Sequence, residues 1–181
     1  MGGGTLLLLA CAPPPIFPPE VQEQVDRTVR FQHVVDHPAA YQGRVVEFGG
    51  QILDSLVEGE EVQVLVRELP LQTKRIYGPV DRGGPRGLFI IRVTGNVGEQ
   101  DLQRGHMVVV IGPMMGNVVT TVTGVPISRP TVSADCFHIW RTQGEPIEEY
   151  PYPKNATRYV SLVQQTYCSN QPNTILTTTG P

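Results

Sequence analysis

Apolar residues occupy every second position in several short segments, and this alternation predicts strands that bury one face. In the first segment, Val46, Phe48 and Ile52 share a face. The six segments lie at residues 44–53, 60–71, 87–93, 107–112, 117–125 and 131–140. Short strands joined by tight turns predict a mainly β fold, which we expect to be a small antiparallel OB-like barrel. The predicted core consists of Val46, Phe48, Ile52, Val64, Val66, Phe89, Ile91, Val109, Ile111 and Trp140.

Before the first strand, the apolar residues repeat with a different spacing. Val21, Val25 and Val29 recur every four residues, and Pro38 ends the pattern. This spacing predicts one N-terminal amphipathic helix or two short turns. Beyond Trp140 the composition changes to Pro, Tyr, Asn, Gln and Thr, so we expect residues 143–181 to form an extended tail that lies along the domain or is partly disordered.

Composition agrees with short strands. Glycine (19) and proline (17) make up about a fifth of the 181 residues, against roughly 12 per cent in average proteins. Long helices are therefore disfavoured. No apolar run reaches the roughly 18 residues that a membrane-spanning helix needs. The length fits one domain, which we place at residues 21–142.

The overall charge argues against nucleic acid as a partner. Lys and Arg number 14 against 17 Asp and Glu, for a net charge of −3, whereas nucleic-acid-binding proteins are usually basic. Positive charge is concentrated in the loop of residues 72–86, which carries Lys74, Arg75, Arg82 and Arg86 but only one acid. This loop could contact an acidic protein or an anionic lipid headgroup. The alternative is a hairpin tip whose charges only aid solubility.

No residue pattern supports catalysis, a metal or a cofactor. His33 and His37 are four residues apart on a predicted helix, but no third ligand accompanies them, so we expect two solvent-facing histidines. The chain has no GxSxG nucleophile motif, and the glycine-rich segment at 83–87 lacks the Lys-Ser/Thr of a phosphate-binding loop. The sequence therefore predicts a protein that is not an enzyme and that binds no cofactor.

The first cysteine closes the apolar run of residues 5–10 as Leu-Ala-Cys, which resembles a bacterial lipobox. Signal peptidase would cut before Cys11, and the Cys11 thiol would carry diacylglycerol. We therefore expect residues 1–10 to be a signal peptide and the proline-rich residues 11–20 to be a tether. Only ten residues precede Cys11, and none is Lys or Arg. A start codon further upstream would explain both departures; the alternative is an incidental cysteine.

Several fragments follow Cys11 in a defined order. They are PAAYQG at 38–43, VEFGGQI at 46–52, ELPL at 68–71, GLFI at 87–90, GHMVVVIG at 105–112 and FHIW at 137–140. This order resembles the Slp family of outer-membrane lipoproteins, known as starvation-inducible lipoproteins. The resemblance implies a lipid-anchored domain in the envelope of a Gram-negative-type bacterium, with Cys11 as the anchor. Ala12 stands where Asp would suggest the inner membrane, so we expect a periplasm-facing location at the outer membrane.

Two cysteines remain after lipidation. In an oxidising compartment, Cys136 and Cys168 could form a disulfide that pins the tail to the last strand. A buried free thiol at Cys136 is an equal alternative, because Cys136 falls in phase with core residues.

The leading functional hypothesis is a non-enzymatic outer-membrane lipoprotein that acts as a structural or protein-interaction module with an envelope protein as its partner. The second hypothesis is an OB-like module that binds a ligand such as a glycan. An envelope hydrolase is the third.

Overall fold

The structure, a computed structural model, describes residues 15–73, 77–83, 87–120, 126–169 and 171–177. Two short helices precede the sheet, α1 (Pro19–Gln22) and α2 (Phe31–Asp36), and a 3₁₀ turn spans Pro38–Tyr41. The helical pattern thus forms two short pieces. The side chain of Asp26 explains the break, because it accepts hydrogen bonds from the N–H (3.0 Å) and hydroxyl (2.6 Å) of Thr28 and closes a turn between them.

The rest of the described chain is mainly β, as the alternation predicted. The strands are β1 (Val45–Glu58), β2 (Glu61–Leu69), β3 (Leu71–Gln72), β4 (Gly78–Pro79), β5 (Leu88–Thr94), β6 (Met107–Thr120), β7 (Ile127–Ser133), β8 (Cys136–Trp140), β9 (Val163–Cys168) and β10 (Gln171–Thr177). Two further 3₁₀ turns span Glu99–Asp101 and Ile147–Glu149. No helix among the described residues is long and apolar enough to cross a membrane.

Five strands pair in a closed circuit. β1 pairs with β2, β2 with β5, β5 with β7 and β7 with β6, and β6 pairs back with β1. Only the β5–β7 pairing in this circuit is parallel. The same sheet continues outward from β6 through β8 and β9 to β10. β3 and β4 form a separate two-stranded pair.

The long strand β6 joins two segments that the sequence separated. Residues 107–113 pair with β1, while residues 114–120 pair with β7, and the register shifts between Met114 and Gly116. Gly116 has a φ of +80°, which a glycine adopts without strain. This bulge lets the strand change partner without ending, so the predicted fourth strand and residues 117–120 of the predicted fifth are one strand; residues 121–125 lie outside the described residues.

The predicted strand at 131–140 is two strands, β7 and β8, separated at Ala134 and Asp135. The break reverses which face each residue presents: Val132 belongs to one core cluster and Trp140 to another. The backbones also meet closely here, because a Cβ added at Gly112 would collide with the carbonyl oxygen of Ser133. A single strand over residues 131–140 would place Val132 and Trp140 on one face, so the prediction of one strand here is wrong.

Two apolar clusters lie on opposite faces of β6. The first includes Phe48, Phe89 and Val110, and the second includes Phe17 and Trp140. All ten predicted core residues are buried. Three of them, Val109, Ile111 and Trp140, face the second cluster, so the sheet is covered on both sides where β6 crosses it.

The segment beyond Trp140 contributes two strands that the sequence did not predict. β9 pairs with β8, and β10 pairs with β9. β9 and β10 therefore extend the sheet of the domain. Their polar composition, rich in Gln and Thr, hides the apolar alternation by which the other strands are recognised.

Candidate functional site

A cavity of about 180 Å³ opens where β5 and β9 end and β8 begins. Polar residues line part of its wall, namely Thr94, Asn96, Asp135 and Ser169. Apolar and aromatic residues line the remainder, including Val93, Val97, Ala134, Phe137 and Tyr167. We call this cavity the Asp135 pocket.

Asp135 occupies the turn between β7 and β8, where its backbone is fixed from two sides. Its N–H donates to the carbonyl oxygen of Ile111 (2.9 Å), and its own carbonyl oxygen accepts the N–H of Ser169 (2.9 Å). The carboxylate forms no hydrogen bond or ion pair within the described residues. Burial raises the pKa of the Asp135 carboxyl above its usual range.

The aromatic wall of the pocket is held by a buried polar network. Tyr167 stacks on Phe137, with ring centroids 5.0 Å apart and planes at 15°. The Tyr167 hydroxyl donates to Asp101 Oδ2 (2.5 Å) and accepts the N–H of Gly98 (3.2 Å). Asp101 Oδ1 accepts Nε–H of Arg141 (2.6 Å). Burial raises the pKa of Tyr167 to about 12, so this hydroxyl is a donor at neutral pH.

Cys168, the residue after Tyr167 on β9, forms a disulfide with Cys136. Cys168 lies opposite Cys136 in the β8–β9 register, with Cα atoms 4.1 Å apart, and their sulfur atoms are bonded. The Cα separation is within the limit of about 7 Å for a disulfide. Cys136 is also buried in the second cluster, so its burial does not prevent the bond to Cys168.

Two buried histidines are fully engaged. His106 Nδ1 accepts the N–H of Gln143 (3.2 Å), which leaves Nε2–H to donate to the carbonyl oxygen of Gln100 (3.1 Å). His138 contacts the Thr166 hydroxyl through Nδ1 (2.6 Å) and Gln164 Oε1 through Nε2 (3.1 Å). Burial lowers the pKa of both rings, that of His138 to about 4. Both are therefore neutral at physiological pH.

A second, larger cleft of about 360 Å³ lies beside the loop of residues 72–86. Its lining includes Arg30, Phe31, Glu47 and Glu68. Glu47 accepts the hydroxyl of Tyr77 (2.5 Å) and lies 3.3 Å from a guanidinium nitrogen of Arg27. Its carboxylate is thus already bonded inside the protein.

Of the residues that the sequence singled out, the loop base Arg82 is exposed and donates to Gln72 Oε1 (2.9 Å). Lys74, Arg75 and Arg86 lie outside the described residues, as does Cys11. His33 and His37 are exposed on and just after α2. Within the described ranges, no three His, Cys, Asp or Glu side chains are grouped as metal ligands.

Sequence reasoning did not find the Asp135 pocket. Its polar residues come from three separate turns, and only the strand pairing brings them together. One signal was present: Asp135 is the only Asp, Glu, Lys or Arg between Arg129 and Arg141. A single acid in an apolar stretch marks a turn, and here it also marks a pocket wall.

The fold is a mainly β domain that begins with an N-terminal segment packed on its sheet, and the site is a small pocket with one carboxylate. Residues 8–172 match the family model described as the outer membrane lipoprotein Slp family. The match covers most of the chain, so this chain belongs to the Slp family of outer membrane lipoproteins, as the ordered fragments predicted. Comparison with the curated proteins gave no match.

Proposed function

We propose that this protein is a non-enzymatic lipoprotein, anchored through Cys11 to the periplasm-facing side of the outer membrane, that acts as a structural or protein-interaction module. The family supplies the envelope location. The anchor, the orientation and the interaction role are our inference.

The observation that carries this proposal is the docking of the segment next to the anchor. Phe17 is only 2% exposed and packs in the second cluster. The carbonyl oxygen of Phe17 accepts the side-chain amide of Gln22 (3.0 Å), and that of Ile16 lies 3.4 Å from Thr166 Oγ1. Phe17 follows Cys11 by six positions, and six residues span at most about 20 Å. A lipid on Cys11 would therefore hold the β9 side of the domain next to the bilayer.

The state of the buried polar groups supports a non-enzymatic role. A hydroxyl beside a histidine can be a nucleophile and its base, and Thr166 and His138 are such neighbours. However, His138 is fully buried, Thr166 is 8% exposed, and the Phe17 ring lies edge-on to the imidazole at 6.4 Å. Neither residue lines either cavity described above. His138 and Thr166 therefore help to pack the N-terminal segment on the sheet.

The strand circuit supports the OB-like barrel that the sequence predicted. An OB-fold is a five-stranded Greek-key barrel. Here β1, β2, β5, β7 and β6 pair in a ring, with one parallel pairing between β5 and β7. We infer that these five strands form the barrel and that β8, β9 and β10 are an added flank.

The basic loop of residues 72–86 remains our proposed contact with an acidic partner. Arg82 is exposed, and Asp81, the acid of this loop, pairs with Arg67 at 2.7 Å. This ion pair leaves less negative charge to oppose the loop's bases. We expect the loop to steer association, with an effect that weakens as salt rises.

The experiment is cross-linking in the native envelope followed by capture of the protein. Wild type is compared with Cys11→Ala and with a variant in which Lys74, Arg75, Arg82 and Arg86 are all Gln. We expect wild type to yield a defined protein partner, Cys11→Ala to lose it, and the Gln variant to weaken its capture. Capture of no partner by the membrane-bound wild type would refute the interaction role.

A further inference from the structure

We propose that the Asp135 pocket binds an organic cation, the ammonium or guanidinium group of a basic side chain on the protein partner. This inference rests on the proposed interaction function and names the chemistry by which the partner is recognised. It concerns a site far in sequence from the basic loop, and of opposite charge.

The charge of the pocket points to a cation. Asp135 is the only charged residue that lines it, and its carboxylate has no partner within the described residues. A carboxylate that is partly removed from water and left unpaired is costly, and an incoming cation removes that cost. Burial raises the pKa of the Asp135 carboxyl because no cation of the described chain compensates for the lost water.

The remaining lining residues suit the head group of a side chain. A cavity of about 180 Å³ admits one basic side chain but not a folded segment. The side chains of Thr94 and Asn96 also lack hydrogen bonds within the described residues, so both offer oxygen acceptors for N–H groups. Ser169 donates its hydroxyl hydrogen to the carbonyl oxygens of Ala134 (3.2 Å) and Asp135 (3.3 Å), which leaves its oxygen as a further acceptor. Acceptors around a carboxylate match a donor-only cation.

One wall of the pocket is held in place before any ligand arrives. This aromatic wall is fixed by the Phe137–Tyr167 stack and by the hydrogen bond from Tyr167 to Asp101. The disulfide of Cys168 holds β9 against β8 at the same place. A site that is preformed loses less entropy on binding, which favours a small cation even without a large contact area.

The pocket chemistry is tested with small probes on the folded, soluble Cys11→Ala protein. Ethylguanidinium and n-butylammonium are compared with the neutral N-ethylurea by NMR titration. We expect both cations to shift resonances of Asp135, Asn96 and Tyr167, and N-ethylurea to bind at least about tenfold more weakly. Asp135→Asn should weaken both cations by about tenfold. The matched control is Glu148→Gln, which neutralises an exposed carboxylate outside the pocket and should leave both affinities unchanged.

Each result of this titration either supports or overturns the proposed cation site. Equal binding of N-ethylurea, or cation binding that survives Asp135→Asn, would overturn the proposal. Binding of a neutral monosaccharide that survives Asp135→Asn would assign the pocket to a glycan.

The second arm repeats envelope cross-linking with Asp135→Asn and Glu148→Gln in the lipidated protein. We expect Asp135→Asn to lose the partner and Glu148→Gln to keep it. If the pocket binds the cations but Asp135→Asn still captures the partner, the pocket binds a free amine. That result would overturn the proposal that the cation is a side chain of the partner. If wild type captures a partner but the pocket binds no cation, this inference fails and the proposed function stands; if wild type captures none, the proposed function itself fails.

Discussion

Tyr167 donates its hydroxyl hydrogen to Asp101 across 2.5 Å, although the two residues are 66 positions apart. The bond ties β9 to the 3₁₀ turn that precedes β6. It also satisfies one oxygen of a carboxylate that is almost fully buried, while Arg141 satisfies the other. A segment that the composition assigned to a tail is thereby joined to the centre of the domain.

Removing this hydroxyl should destabilise the fold. In Tyr167→Phe the buried Asp101 loses a donor, which typically costs about 1–3 kcal/mol of unfolding free energy. Urea denaturation measures the difference. The control is Tyr152→Phe, because Tyr152 is 69% exposed, and it should change stability by less than about 0.5 kcal/mol. Equal effects of the two substitutions would show that the bond to Asp101 contributes nothing.

The disulfide should add a second restraint on β9. Cys136 and Cys168 are 32 residues apart, and closing a loop of that length stabilises a fold by about 3–4 kcal/mol. We expect reduction with dithiothreitol, or Cys168→Ser, to lower the unfolding free energy of the Cys11→Ala protein by that amount. Thiol titration of protein taken from the envelope should find both cysteines oxidised. Two titratable thiols there would contradict this prediction.

Stability should fall as the pH drops from 7 towards 4. Burial holds the pKa of His138 at about 4, below its unfolded value of about 6.5. Between these values the unfolded chain binds a proton that the folded protein excludes, so stability declines by up to about 1.4 kcal/mol per pH unit. His106, whose pKa is also lowered by burial, acts in the same direction. Urea denaturation at pH 7, 6 and 5 measures the slope, and NMR titration of the His138 ring assigns it. A flat profile, with His138 titrating near 6.5, would refute the prediction.

Asp135→Asn should stabilise the protein at neutral pH. The folded pKa of Asp135 is raised, so ionising it costs folding free energy once the pH exceeds its unfolded pKa. Asn does not ionise, and we expect a gain below about 1 kcal/mol, since the carboxylate is still partly solvated. The gain should disappear near pH 3, where Asp135 is protonated in both states. Thermal denaturation at both pH values, with Glu148→Gln as the control, tests this; a loss of stability at pH 7 would mean that the carboxylate has a structural role.

Local alternation was sufficient for the strands that bury apolar side chains. It identified β1 as far as Leu53, β2, β5 and all ten core positions, because each such strand shows its buried face in its own sequence. It did not identify β9, whose buried residues Gln165, Thr166 and Tyr167 are mostly polar and are satisfied by distant partners. Nor could it show which apolar cluster covers each face of β6, because this strand is apolar on both faces and the side chains that pack on them come from distant parts of the chain.

The candidate site was harder to predict than the fold. Asn96, Asp135 and Ser169 lie in turns separated by more than thirty residues. Each turn is ordinary by itself, and the pocket exists only because β5 and β9 end where β8 begins. The family resemblance gave the location in the cell, but it named no binding residue.

We propose above that a lipid on Cys11 anchors the domain whose docked segment begins at Ile16. Intact mass spectrometry of the protein from native outer membranes tests this anchoring. We predict a chain that starts at Cys11 and carries a diacylglyceryl group, and we predict that Cys11→Ala moves the protein to the soluble fraction. A native membrane protein whose Cys11 is unmodified and preceded by residues 1–10 would show that Cys11 does not anchor the domain.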